Sequence, residues 1–565
     1  MPLVAADWLV VALFFGATTV VGLLFARRGS QSLAAYFTAG RSLPWWLSGT
    51  SMVATTFAAD TPLAVTALVA QHGIAGNWVW WNMVAGNLLT VFFFARLWRR
   101  AGVKTDAELT ELRYGGRPAA ALRAFRAVYL ALPVNLVIIG WVNLAMVKVL
   151  EAVLGVDPFV AMLGLFALTV LYASLSGLWG VVVTDFLQFP VAMLGCVVLA
   201  VYAVDAVGGL EALAARTPPL SLELFPTDAE WMPPSVMASY LAVQWWAAWY
   251  PGSEPGGGGY VAQRIVACRS ERDGLLATLW FTIAHYAVRP WPWILTALAA
   301  SLLYPGLADK GVGFVKAIEL LPAGLKGLLL AAFGAAYMST LSTQLNWGAS
   351  YLVNDVVGRF TRWPESALVR SSRLVTAALF VTSALVTWGL SKLGSVDTAW
   401  RVLIARGAGT GPVYLLRWYW WRVNAWSEIA AMGFSFTSFL ILTAGGVFDP
   451  ADPIEGAWLM LVNTAVTTVG WLAVTLLTRP EADAVLQGFH DRTHPGGPGW
   501  RRFSGGRASA GGASMGLAGL VGVYGVLFGV GRLLLGPRVQ GAALLALGIA
   551  GFIAVAALLR RSSAA

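Results

Sequence analysis

Apolar positions along this chain come in long runs of about 20 residues, the length that crosses a ~30 Å hydrocarbon core, and the polar residues gather between them. The pattern predicts helices near 7–26, 44–71, 77–98, 124–153, 158–177, 180–204, 236–263, 274–304, 326–356, 367–390, 396–416, 425–447, 456–478, 514–535 and 539–559. That is fifteen spans of an all-α polytopic membrane protein. The first run begins after the acidic Asp7 and shows neither a basic leader nor a small-residue cleavage site, so it reads as a retained span.

Composition agrees: 58% of the 565 residues are hydrophobic and only 12% are charged, against about 25% charged in soluble domains. The net charge of +10 does not gather into one basic patch, so no nucleic-acid partner is expected. The basic residues lie between spans and fix topology instead. An odd count of spans puts the termini on opposite sides. With the N-terminus extracytoplasmic and the C-terminus cytoplasmic, the inner connections receive Arg27–Arg28, Arg96/Arg99/Arg100/Lys104, Arg264/Arg269/Arg272, Arg359/Arg362/Arg370/Arg373 and Arg501–Arg502. The outer 205–235 loop then carries Asp205, Glu211, Glu223, Asp228 and Glu230 against Arg216. This is the positive-inside arrangement of a multi-pass protein of the cell membrane. Cys196 and Cys268 form no disulfide framework, and the four histidines form no metal motif. A membrane enzyme would need clustered acids or histidines at one face and a sizeable loop domain. The stretch 479–513, rich in Pro, Gly and Ser, reads as a flexible cytoplasmic linker, and no obligate protein partner is evident.

Two spans contain residues that membrane helices avoid. The second holds Asp60-Thr61-Pro62, and the seventh holds Trp249-Tyr250-Pro251-Gly252-Ser253-Glu254-Pro255-Gly256-Gly257-Gly258-Gly259. Irregular backbone at membrane depth is tolerated only where it is buried in protein or lines a wet cavity. Each break opens a block of five spans, and because five is odd the blocks run in opposite directions. Matching breaks in inverted repeats point to a transporter's midplane site. The organisation read from this is a first helix and connection (1–43), repeat one (44–204), the outer loop (205–235), repeat two (236–422), two further spans (423–478), the linker (479–513) and two C-terminal spans (514–565).

The ninth span carries a hydroxyl stripe. Positions Ala336, Ser339, Thr340 and Thr343 follow i, i+3, i+4, i+7 spacing, with Ser342 beside them. Hydroxyls with a freed carbonyl can hold a sodium ion; equally, they can bond back to their own helix. Asp185 lies in the cytoplasmic half of the sixth span and has three readings: a partner for an inner arginine, a proton relay, or a cation ligand. Candidate solute-lining groups are Asp60, Trp245, Trp246, Trp249, Tyr250 and Glu254, with Gln71, Trp81 and Asn82 as outer neighbours. Arg289 and Arg406 either hold a solute carboxylate or neutralise Asp60 and Glu254.

The segments Phe37-Thr38-Ala39-Gly40-Arg41-Ser42-Leu43, Thr184-Asp185-x-x-Gln188 and Met338-Ser339-Thr340-Leu341-Ser342-Thr343 resemble the sodium:solute symporter family, which includes sodium-coupled proline, glucose and sialic acid carriers. The resemblance runs to about residue 450 and implies a LeuT-type five-plus-five inverted repeat. It implies a main sodium site of Ala58, Thr61, Ala336, Ser339 and Thr340. In some members a second site exists, which here would be Ser339, Ser342, Thr343 and Asp185. It further implies Na+ as coupling ion and a small polar organic solute as cargo, with a proton-coupled symporter or an uncoupled carrier of the same fold as alternatives. The glycine-rich seventh span and Leu416-Arg417-Trp418-Tyr419-Trp420-Trp421-Arg422 depart from the better-known branches, so no particular substrate is implied.

Overall fold

In the second span the helix Trp45–Thr55 stops, and a new helix, Asp60–His72, starts at 59° to it. The local chemistry accounts for the position. Pro62 sits in the first turn of the second half, where a missing N–H costs nothing, and Asp60 opens that turn, where the helix dipole favours an anion. The break therefore precedes Asp60 and spans 56–59, rather than centring on the acid and proline.

The computed structural model describes residues 3–25, 31–154, 157–227, 230–248, 255–390, 407–450, 452–504 and 512–564. These are helical throughout, apart from turns and one isolated bridge between Leu43 and Cys268. Among the described residues, ten helices are long and apolar enough to cross a membrane, and the bent pair taken as one span makes eleven. The predicted fifth and sixth spans appear as one helical run, Pro158–Ala206, interrupted at Gly177. There φ is 57° and ψ −154°, and a Cβ would fall 2.7 Å from the Tyr36 carbonyl oxygen. Only glycine fits.

The seventh span is divided as well. Its first part ends at Ala247, and helix resumes at Gly259–Ala267. Gly256 and Gly257 both have φ +79°, and the Gly256 carbonyl accepts from Trp98 Nε1 at 2.7 Å. Trp249, Tyr250 and Glu254 lie outside the described residues, as does Arg406.

The ninth-span helix, Leu325–Ser350, is buried almost throughout and packs on the helix that carries Asp185. Its start is tied to the first span: Asp7 Oδ1 accepts from the backbone N–H of Gly324 (2.7 Å) and Gly327 (2.8 Å). These are amides that an N-terminus leaves unpaired. At the far end of the chain, Gly512–Leu535 and Arg538–Ala564 pack through glycines, a Cβ at Gly525 falling 2.6 Å from Gly548 Cα. The stretch expected as a flexible linker is largely structured. Residues Asp483–Thr493 are helical, and Trp500 is fully buried, donating to the Trp418 carbonyl at 2.7 Å. Its Pro and Gly residues shape a strap around aromatic anchors.

Candidate functional site

The break in the second span faces a cavity of about 100 Å³. It is walled by Thr55, Thr56, Ala58, Asp60 and Thr61 from the broken helix and by Thr340 and Gln344 from the hydroxyl helix. Trp80, Trp141, Tyr260, His285 and Arg289 complete its polar and aromatic lining. Asp60 lines this cavity. Gln71 is exposed at the end of its helix. Trp81 is buried against Trp78 and Phe528. Asn82 donates to the Trp78 and Val79 carbonyls of its own helix at 2.7 and 3.1 Å. Trp245 and Trp246 turn their indole N–H groups back to Leu241 and Ala242. None of these last five lines the cavity.

Thr340 joins the two helices. Its hydroxyl donates to the Thr55 carbonyl (2.8 Å), at the end of the first half-helix, and to Ala336 O (3.1 Å). Ser339 Oγ is buried with no hydrogen-bond partner. Thr61 Oγ1 bonds Thr56 O at 3.3 Å across the break. Neutral oxygens from an unwound backbone and from hydroxyls converge here, which is the donor set that suits a monovalent hard cation. Thr55, whose carbonyl supplies the link, was missed from sequence because nothing in a residue's identity marks its carbonyl as freed.

Arg289 is bonded to the end of the first half-helix. Nη1 donates to Val53 O (3.1 Å) and Thr56 Oγ1 (3.0 Å), and Nη2 lies 2.7 Å from His285 Nδ1. Val53 belongs to the last turn of the first half-helix, whose carbonyls have no partner within it. The guanidinium caps that C-terminus and meets the negative end of its dipole. Because arginine only donates, His285 Nδ1 is an acceptor; the ring is the neutral tautomer, with its proton on Nε2. His285 was passed over as a scattered histidine, although its i, i+4 spacing to Arg289 within a span was the available signal.

The residues of the possible second sodium site come together around another arginine. Ser51 Oγ donates to Asp185 Oδ2 at 2.5 Å, and Ser342 Oγ turns to its own helix at Ser339 O (3.1 Å). Arg264, expected in a cytoplasmic connection, is fully buried here instead. It donates to Thr343 Oγ1 (2.6 Å), Gln263 Oε1 (2.7 Å) and Ser51 Oγ (3.3 Å).

Residues 36–433 match the sequence profile of the sodium:solute symporter family. The chain belongs to that family. It is similar to the sodium/glucose cotransporter of Vibrio parahaemolyticus, 25% identical over 77% of this chain and 84% of the relative. It is similar also to sodium/glucose cotransporter 1 of Oryctolagus cuniculus, 22% identical over 85% of this chain and 80% of that protein. Among solved structures, a Na+-coupled sialic acid symporter in a substrate-bound outward-open state superposes with a TM-score of 0.69. That match has 19% identity and covers 84% of this chain and 98% of the other, a likeness of fold. The symporter-family chain is therefore a multi-pass membrane transporter and not an enzyme.

Proposed function

We propose that this family member is a sodium-coupled symporter that carries a small polar organic solute by alternating access. The observation that carries the reading is the Thr340 hydroxyl bonded to the Thr55 carbonyl at the break, with the buried Ser339 hydroxyl beside it. One sodium ion held by Ala58, Thr61, Ala336, Ser339 and Thr340 would bridge the broken helix to the hydroxyl helix. Coupling needs an ion that favours one conformation over another, not mere occupancy, and an ion shared between two moving parts has that preference. Entry of each sodium ion gains about 2.3 kcal/mol per 100 mV of membrane potential, beyond its concentration gradient. The word sodium in the relatives' names supports the ion; their sugar is not carried over, because the cavity here sets Asp60, His285 and Arg289 together.

The fold behind the reading is a LeuT-type five-plus-five inverted repeat within fifteen spans. It sits in the cell membrane, with the N-terminus and the 205–235 loop outside and the 483–504 strap inside. Thiols introduced at Glu211 and Gln487 test the orientation: an impermeant reagent applied to cells should label the first and spare the second, and the reverse inverts the protein. Function is tested in proteoliposomes by solid-supported-membrane currents on addition of amino acids, sugars and organic acids. An inward sodium gradient at fixed pH should support the current, and a pH gradient without sodium should not. Current driven equally by protons alone would replace sodium with proton coupling.

A further inference from the structure

At the entrance to the broken second span, positive charges are crowded together rather than paired with acids. Ala39, Gly40 and Arg41 are left-handed in succession, with φ of 47°, 61° and 58°. That turn brings the half-buried Arg41 side chain to the end of helix Ala95–Ala101, where its Nη2 donates to the Gly102 carbonyl. On the strap, Arg492 is exposed in the last turn of Asp483–Thr493. Arg100 seats that turn, donating from Nη1 to Thr493 O at 3.4 Å. A Cβ built on Gly102 would lie 3.1 Å from both Arg41 Nη1 and Arg492 Nη2. The two guanidiniums thus converge on one small space beside a residue with no side chain. Arg99 stands near them, its Nε and Nη2 fixed by the Cys268 and Arg269 carbonyls at 2.7 and 3.3 Å.

A left-handed arginine and the approach of like charges are both unfavourable, and the acids nearby are engaged elsewhere. Glu271 pairs with Arg100 and Asp273 with Arg269, while Asp491 accepts from Gln487 at 2.6 Å. Among the described residues no carboxylate forms an ion pair with Arg41, Arg99 or Arg492. Burial and the charges of Arg99 and Arg492 hold the Arg41 guanidinium below its ordinary value, and Glu108 offsets only part of this. A bound anion would offset the rest. Two guanidiniums facing one space suit a phosphate, whose several oxygens accept from both forks at once. The depth agrees. Trp45 and Trp46, both exposed, begin the helix a few residues beyond Arg41, and tryptophans at a span's end mark the headgroup level.

We propose that Arg41 and Arg492, in the field of Arg99, form a binding site for a phosphate group, presented by an acidic phospholipid headgroup or by a soluble phosphate compound. On the orientation proposed above, the site faces the cytoplasm, where acidic lipids are concentrated. A group held by both arginines ties the strap to the segment that enters the broken helix, so its binding stabilises both. The inference needs neither the sodium nor the solute reading.

The test follows thermal unfolding of the purified full-length protein in a neutral detergent. Dioctanoyl phosphatidic acid, dioctanoyl phosphatidylcholine and inorganic phosphate are titrated separately, against sodium chloride of matched ionic strength. Phosphatidic acid or inorganic phosphate should raise Tm saturably, beyond the effect of chloride. Arg492→Gln should weaken the apparent affinity about tenfold or more, the loss of a charged donor, and Arg41→Gln should do the same. Arg502→Gln, on the same strap but paired with Asp483, should leave it unchanged. A shift from phosphatidic acid alone assigns the site to a lipid headgroup; a shift from inorganic phosphate assigns it to a soluble phosphate compound. The inference is overturned by no saturable shift from either, or by one that phosphatidylcholine matches. A shift that Arg492→Gln leaves intact, or that Arg502→Gln weakens equally, overturns it too. Because Arg492 is exposed, its variant decides the question even where Arg41→Gln fails to fold.

Discussion

Replacing Arg289 with methionine separates a helix cap from a solute ligand. The substitution keeps much of the side chain's bulk over Phe57 and Trp293, which the guanidinium overlies at 5.8 and 5.1 Å. It removes the donors to Val53 O, Thr56 Oγ1 and His285 Nδ1. Hydrogen bonds from a charged group are worth about 1.5–3 kcal/mol each, net of solvation. Thr56 retains its bonds to Val53 O and to His285, so the three losses do not sum fully. A loss of about 3 kcal/mol is the expected scale, with the burial cost of the guanidinium recovered in part. Half-helices left uncapped must be reordered when sodium binds. If about half of the loss falls on that step, sodium half-saturation rises about tenfold, since 1.4 kcal/mol is a factor of ten. Sodium titrations of intrinsic tryptophan fluorescence, made without solute, measure this directly beside a thermal unfolding curve. A cap weakens sodium binding and stability whatever the solute, and Arg289→Lys restores part of both. Unchanged stability and sodium affinity, with only the apparent affinity for anionic solutes lost, would refute the capping argument and make Arg289 a carboxylate ligand.

Thr340→Val keeps the shape and deletes the hydroxyl that reaches Thr55 O, so sodium affinity should fall at least about tenfold while the protein stays folded; an unchanged sodium titration would remove Thr340 from the site. Gly257→Leu forces a Cβ to within 2.8 Å of Trp98 Nε1 at a φ of +79°, costing about 1–2 kcal/mol in backbone strain alone; proteoliposome currents should disappear, and wild-type currents would show the break to be tolerant. Outside the spans, burial pushes the Glu111 carboxyl up, but hydrogen bonds from Arg359 and Arg123 outweigh it and hold the group below its ordinary value of 4.5. Its contribution is therefore complete above pH 4.5 and is lost as pH falls through the lower folded value, so the thermal stability of Glu111→Gln should approach that of the unmodified protein in acid and lie below it at neutral pH. Curves that stay parallel across that range would show that the ion pairs contribute nothing.

The two breaks were legible because local chemistry makes them. Asp-Thr-Pro starts a helix better than it continues one, and a run of glycines permits the φ values that Gly256 and Gly257 adopt. The hydroxyl stripe was legible for the same reason, since the period of the helix fixes which positions share a face. What could not be read was every feature made by side chains far apart in sequence. Arg264 meets Thr343 across 79 residues and Arg289 meets Val53 across 236; a buried arginine and one in a cytoplasmic turn look identical in a string. Aromatic residues misled in the opposite direction. Trp245 and Trp246 sit beside a break in the chain, yet their indoles bond to their own helix, whereas Trp80, next to the predicted Trp81, faces the cavity. The strap at 483–504 escaped notice because its Pro and Gly content reads as disorder, while Phe489 and Trp500 give it a core shared with Trp418.

The contact from Asp7 to the start of the hydroxyl helix has a consequence for biosynthesis. Its carboxylate and the amide of Gly324 are 317 residues apart, and chains are made from the N-terminus at about 5–20 residues per second. The first span therefore enters the bilayer tens of seconds before the amides that will receive its acid exist. During that interval the acid must stay near the headgroups or bear the cost of an unpaired charge in hydrocarbon, about 2.5–3.5 kcal/mol by insertion scales. Its position in the first turn of Ala5–Leu24, near the membrane surface, makes the wait tolerable. The hydroxyl helix is thus finished by a segment made well before it, and closing that joint is a late event of assembly rather than an early one.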